Sequence, residues 1–200
     1  MSHPVGVATR DWDAVVVGAG PAGSLTAHQL RQAGLSVLLV DRQSFPRRKV
    51  CGACVSRGAQ KILAEVGLEG LMQRLDPVPL TSLRLCGWGK TAHLPLEGAA
   101  ALSRSALDQA LVEAAVACGA VFLDGARARI GPVEAANRRV SLRLGGTTVE
   151  VRARVVVAAD GLGGGLLADA RGATGRGFRP LPGWGSGGSS GRPRSPTRRA

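Results

Sequence analysis

The chain has 200 residues, 44% of them hydrophobic, which is enough apolar material for one sizeable core and suggests one or two domains. Aromatic residues make up 3% and tyrosine is absent, which argues against base-stacking platforms for nucleic acid. The formal charge of +12 is uneven: no acid follows Asp169, whereas seven arginines do, so the charge reads as codon bias rather than as a nucleic-acid footprint.

The N-terminal residues 1–11 lack the apolar core of a signal peptide and are expected to be flexible. No apolar run approaches the ~20 residues that cross a bilayer. With four cysteines and no export signal, the expected setting is a reducing cytoplasm without structural disulfides.

Residues 12–41 carry the strongest pattern. The run Asp13-Ala14-Val15-Val16-Val17 reads as a strand and stops at Gly18. Gly18, Gly20 and Gly23 then stand in G-x-G-x-x-G spacing, with Pro21 and Ala22 at a helix start. That spacing serves a tight turn, a close approach of backbone to a pyrophosphate, and close packing of helix on strand. The helix N-terminus supplies N–H groups and dipole to the phosphates. Gly34 sits where a C-cap belongs. A second strand, Val37-Leu38-Leu39-Val40, ends in Asp41, placed to accept hydrogen bonds from ribose hydroxyls and to repel a 2′-phosphate. The fold class expected is α/β, a Rossmann-like dinucleotide-binding fold with a parallel central sheet and a β-hairpin crossover.

Residues 42–58 read as a basic loop in which Arg47, Arg48 and Lys49 form a solvated face. Ser56 caps a helix over 59–66 that stops at Gly67. Two alternating runs within 80–96, around Gly87-Trp88-Gly89, suggest a hairpin. Ser105-Ala106-Leu107-Asp108 has the form of a capping motif, followed by an apolar face of Leu107, Leu111, Ala114 and Cys118. Ala120 to Leu123 reads as a short strand. Val140, Leu142 and Leu144 alternate, as do Val149 and Val151, with a tight turn at Gly145-Gly146. Arg154 to Ala159 reads as a buried strand ending at Asp160-Gly161. The expected dinucleotide-binding domain runs over 12–168, with about 60–100 starting an insertion. Residues 169–200, rich in Gly, Pro, Ser and Arg, are expected to be disordered.

Four stretches together resemble the superfamily of geranylgeranyl reductases and flavoprotein aromatic hydroxylases. They are Gly18 to Gly23; Val40-Asp41-Arg42 with Phe45 to Gly52; Leu102 to Asp108; and Val155 to Gly161. The resemblance implies FAD as cofactor and NAD(P)H as electron donor. The substrate would be a small organic molecule, with peripheral membrane contact if it is an isoprenoid. Gly18, Gly20, Pro21, Ala22 and Gly23 would cradle the pyrophosphate. Asp41 would bind the adenosine ribose, and Arg42 would lie beside the adenine or phosphates. Arg104 would reach the cofactor, Cys51 would sit near it, and Asp160-Gly161 would begin a second cofactor motif. Catalytic residues are not identified.

Departures from the family pattern begin at Gly163-Gly164-Gly165, and a later Gly-Asp-Ala-type motif is absent. The expectation is therefore a truncated or frame-shifted chain. Cys51-Gly52-Ala53-Cys54 also fits a C-x-x-C redox pair, so a dithiol flavoprotein reductase is the alternative, with a non-catalytic nucleotide-binding remnant as the third reading. His3, His28 and His93 are scattered and no second C-x-x-C exists, so no metal site is expected.

Overall fold

The computed structural model describes Val7, residues 10–162 and residues 165–166. The expected tail at 169–200 lies outside the described residues. Nine strands and four helices follow one another in the described chain. The first unit is β1 (Asp11–Val17), α1 (Pro21–Gln32) and β2 (Val37–Val40). Next come β3 (Cys54–Val55), α2 (Arg57–Glu65), α3 (Gly70–Arg74) and the hairpin β4 (Val78–Gly87) and β5 (Lys90–Ala101). Then follow α4 (Arg104–Ala117), β6 (Val121–Leu123), β7 (Arg127–Glu134), β8 (Asn137–Leu144) and β9 (Thr147–Ala158).

The main sheet has six strands in the order β6-β2-β1-β9-β8-β7. β6, β2, β1 and β9 are parallel; β8 and β7 are antiparallel additions. β7 and β8 are the β-hairpin crossover between β6 and β9. β1 can be apolar on both faces because both are covered. Val16, Leu39 and Val37 pack with Ala27 of α1 and with Val112 and Ala115 of α4. Val15, Val17, Leu38 and Val40 pack on the other face with Val140 and Leu142 of β8 and Val151 and Ala153 of β9. The smaller sheet, β3-β5-β4, is antiparallel, and its base joins α2, α3 and α4 through Val55, Leu63, Leu71, Ala100, Leu102 and Leu111. Among the described residues no helix is long and apolar enough to cross a membrane.

Several local readings hold. The Ser56 hydroxyl accepts from Ala59 N at 3.2 Å and caps α2. Trp88 and Gly89 turn the β4–β5 hairpin with φ of +50° and +71°.

Others need correction. The N-cap position of α4 is Ser103, not Ser105, with no side-chain cap hydrogen bond, and the helix starts at Arg104. Its buried face is Asp108, Leu111, Val112 and Ala115, so the helix is rotated from the expected apolar stripe. β7 was not foreseen, because Gly131-Pro132 and a register shift between Ile130 and Val133 break its alternation. β9 is one continuous strand, and its last stretch is not buried: Val155 is 55% exposed. Val7, in the segment expected to be flexible, is buried, and its carbonyl accepts from Trp12 Nε1 at 3.2 Å.

Candidate functional site

The strand order reverses direction at β1. The connection through α1 leads to β2 on one side, and β9 lies on the other. In open parallel sheets such a switch point leaves a crevice at the C-terminal ends of the strands. The glycine turn, Asp41 and Asp160-Gly161 all follow those ends.

The three glycines do different work. Gly18 has φ +108°, and a Cβ there would stand 2.2 Å from Ala159 O. A Cβ on Gly23 would stand 1.8 Å from Gly18 O, so α1 packs against the turn only through glycine. Gly20 is unlike both. Its φ of −78° suits any residue, and the nearest atoms to a Cβ would be Arg47 Nη2 at 3.5 Å and Arg104 Nη2 at 3.7 Å. The fold itself does not demand glycine at 20. A Cβ there would meet the ends of two arginine side chains at ordinary contact distance.

Gly20 is also the N-cap of α1, and no side chain caps that helix. Pro21 has no N–H, so the free donors of the first turn are those of Ala22 and Gly23. With the helix dipole they form an anion site of the kind that takes a phosphate.

Asp41 is buried. Its Oδ2 accepts from Ala19 N at 2.8 Å and its Oδ1 from Gln43 N at 2.9 Å. The carboxylate thus fixes the glycine turn, and each oxygen keeps acceptor capacity for a hydroxyl. Arg47 Nη2 lies 3.7 Å from Asp41 Oδ2 and 3.2 Å from Asp108 Oδ2. Arg104 Nε donates to Asp108 Oδ1 at 2.6 Å. Asp108 is wholly buried and Arg47 is 6% exposed, so the ion pairs Asp41–Arg47–Asp108 are shielded from bulk water, and the partly exposed Arg104 joins them through Asp108.

The Arg104 guanidinium also acts on the exposed Cys51 thiol. The thiol is held below its ordinary pKa, first by a hydrogen bond from the Ala53 backbone and then by that guanidinium.

Asp160 Oδ2 accepts from Leu166 N at 2.9 Å, and Gly161 adopts φ +85° beside Lys49, whose Nζ lies 3.7 Å from where a Cβ would be. Ala159 N donates to Val17 O at 2.8 Å, which joins this segment to the glycine turn. The structure therefore brings together Gly18, Gly20, Pro21, Ala22, Gly23, Asp41, Cys51, Arg104, Asp160 and Gly161. Arg42 is exposed.

Arg47 and Asp108 were missed as site residues. Arg47 is buried between two carboxylates rather than solvated, which corrects the reading of the basic loop. Nothing in Arg47-Arg48-Lys49 distinguishes the buried residue from its exposed neighbours. Asp108 did carry a signal: an acid within the apolar face of α4, four residues after Arg104, needs a buried partner.

The residues present fit a dinucleotide. Gly20 leaves room a Cβ would fill, the helix start offers free donors, and Asp41 offers acceptors at the end of β2. A menaquinone reductase of Mycobacterium tuberculosis is 36% identical over 155 residues, which are 74% of this chain and 37% of that protein. Digeranylgeranylglycerophospholipid reductase 2 of Methanopyrus kandleri is 34% identical over 155 residues, 76% of this chain and 38% of that one. A geranylgeranyl bacteriochlorophyll reductase-like structure from Thermoplasma acidophilum superposes with a TM-score of 0.69 at 25% identity, covering 80% of this chain and 41% of that one. The chain spans about two-fifths of the length of these proteins. Over residues 11–191, past Gly161 where the motifs begin to depart, it matches the family described as FAD binding domain, and to that family the chain belongs.

Proposed function

We propose that this chain forms the FAD-holding part of an oxidoreductase that acts on a small, apolar or aromatic organic substrate, with NAD(P)H as electron donor. Bound flavin supplies the redox chemistry, and the protein supplies position and electrostatics. In this reading Gly18, Gly20, Pro21, Ala22 and Gly23 hold the pyrophosphate, and Asp41 holds the adenosine ribose. Arg104 neutralises phosphate charge, Arg42 and Cys51 line the rim, and Asp160-Gly161 contact the cofactor from β9. Reduction and monooxygenation of the substrate both belong to the proposal. The two curated relatives are named as reductases, which favours reduction. The cytoplasm is the setting proposed, in keeping with four free cysteines.

The observation that carries the reading is Gly20. Glycines 18 and 23 are required by backbone contacts inside the fold, but a Cβ at Gly20 would meet only the ends of two arginine side chains, at ordinary contact distance, beside a helix N-terminus. Substitution there separates folding from binding. Gly20→Val should melt close to the wild type yet lose ADP and FAD affinity by about a hundredfold, the equivalent of about 2.7 kcal/mol. Calorimetric titration with both nucleotides checks this; unchanged affinities in a folded variant would overturn the proposed site.

A further inference from the structure

β7 ends the main sheet, and among the described residues no strand lies on its other side. Its residues Ala128 and Ile130 are partly buried and pack on the core beside Val140 and Leu142 of β8. Side chains alternate along a strand, so Arg127 and Arg129 turn to the outer face. Arg139 and Arg143 of β8 and Arg152 of β9 share that face, and all five arginines are exposed. Their placement is unfavourable. Arg143 stands directly across from Arg127, and Arg152 directly across from Arg139. Like charges directly opposite one another destabilise a sheet. The nearby acids do not offset this. Glu134 pairs with Arg139, Glu150 accepts from the Ser141 hydroxyl, and Asp11 is in register with Arg152 without pairing to it. Among the described residues Arg127, Arg129, Arg143 and Arg152 have no carboxylate in ion-pair contact.

Charge on an edge strand keeps sheets of like copies from joining, which accounts for Arg127 and Arg129. It does not account for Arg139 against Arg152, a pair inside the sheet. Three properties of β7 point to an occupant. Its backbone edge is open, its outer face calls for carboxylates, and its inner face at Ala128 and Ile130 is apolar. We propose that this edge takes an extended segment of a partner protein, with acidic and apolar residues in alternation, as an added strand. The regular stretch is Arg127 to Ile130, before the register shift that contains Pro132, which has no N–H to offer. Alternate edge residues turn both N–H and C=O outward, so this stretch offers about four backbone hydrogen bonds. An added strand in register sets its acidic side chains about 5 Å across from Arg127 and Arg129 on the outer face. Its apolar side chains then lie beside Ala128 and Ile130. Guanidinium forks suit carboxylates, and the backbone edge supplies affinity that charge alone does not. A second copy of this chain does not suit, because edge-to-edge pairing sets these arginines against themselves. The inference goes beyond the FAD reading and does not depend on it.

The probe is a fluorescent, N-acetylated peptide of repeated Glu-Val, titrated with the full chain at low salt and followed by anisotropy. The same peptide methylated at every backbone nitrogen, and polyglutamate, are the comparisons. The Glu-Val peptide should bind about tenfold or more tightly than either. Arg127→Gln combined with Arg129→Gln should weaken it about tenfold. Arg192→Gln with Arg194→Gln, the same change of charge outside the described residues, should match the wild type. Arg143→Gln should melt no lower than the wild type, because it relieves the opposition to Arg127. Equal binding of the methylated peptide or of polyglutamate would mean attraction by charge without strand addition, and overturns the proposal. Equal losses in the two double variants overturn it for the same reason. A lower melting temperature for Arg143→Gln would show that the arginines stabilise the sheet unaided, which removes the case for an acidic occupant. Phosphatidylglycerol vesicles that bind with the same dependence on Arg127 and Arg129, while the peptide does not, would assign the face to a membrane and overturn it. A wild type that binds no probe overturns it as well.

Discussion

Cys51 shows how one residue's chemistry depends on residues far along the chain. Its thiol is fully exposed, yet the Ala53 backbone N–H and the Arg104 guanidinium stabilise the thiolate and lower its pKa. Thiolate, not thiol, reacts with alkylating agents. Iodoacetamide labelling of Cys51, followed by peptide mass spectrometry, should therefore rise at a lower pH than labelling of the exposed Cys86. Arg104→Met should move the Cys51 profile upward but not abolish it, because the backbone donor remains. A Cys51 profile that coincides with that of Cys86 would show that these contacts do not form in solution. The groups that lower its pKa are a backbone amide and a guanidinium, not Cys54, so Cys54→Ala should leave the profile in place. That separates this arrangement from a dithiol reductase. Sequence spacing picked out Cys51, but the influence of Arg104 arises only because α4 brings residue 104 back over the loop.

At the scale of elements, the controlling contact is α1 against β1. At Gly23 the packing depends on the missing side chain: a Cβ would lie 1.8 Å from Gly18 O and 3.1 Å from Ala159 Cβ. Neither neighbour is the flexible end of a side chain, so α1 itself must shift. Gly23→Ala should cost about 3 kcal/mol, the upper end of overpacking costs, and should show in chemical denaturation as a lower midpoint at constant slope. A loss below about 1 kcal/mol would mean that α1 can slide freely on the sheet. This element was legible in the sequence because G-x-G-x-x-G between an apolar run and a helical stripe carries its own packing logic. α4 was only half legible. Its length and end at Gly119 followed from the pattern, but Ser105 looked like a cap because Asp108 looked like the matching acid. In the structure Asp108 turns inward to Arg47 and Arg104 instead. A capping motif is a local signal, and a buried ion pair with a residue sixty-one positions earlier outweighs it. β7 stayed hidden for another reason: its Gly-Pro interruption removes the alternation from which strands are read.

Across the whole molecule, the parallel core is held at both ends. The C-terminal ends of its strands carry the cradle; the N-terminal ends are tied by Asp13. Asp13 Oδ2 accepts from Ser36 N and Ser36 Oγ, each at 2.8 Å, and Oδ1 accepts from Arg154 Nη1 at 3.1 Å. One carboxylate thus joins β1 to the entry of β2 and to β9. These hydrogen bonds, those from Ser36 foremost and the Arg154 guanidinium after them, lower its pKa from the ordinary 3.8. The sign of the consequence follows by linkage. Below 3.8 the unfolded chain takes up a proton that the folded chain still refuses, so acid favours unfolding. The stabilisation from Asp13 is complete above that value and disappears as pH falls through the lowered folded value. Asp13→Asn should therefore melt below the wild type at neutral pH, and the gap should close in acid. Because the group is partly exposed to solvent and salt, the gap should also narrow at high ionic strength. Five residues of strand separate Asp13 from Gly18, about 16 Å at ~3.3 Å per residue, so the charge acts on the sheet and not on the cradle. Folded Asp13→Asn should bind ADP as the wild type does. A melting gap that persists unchanged down to pH values well below 3.8 would show that the variant fails by lost packing rather than by lost charge.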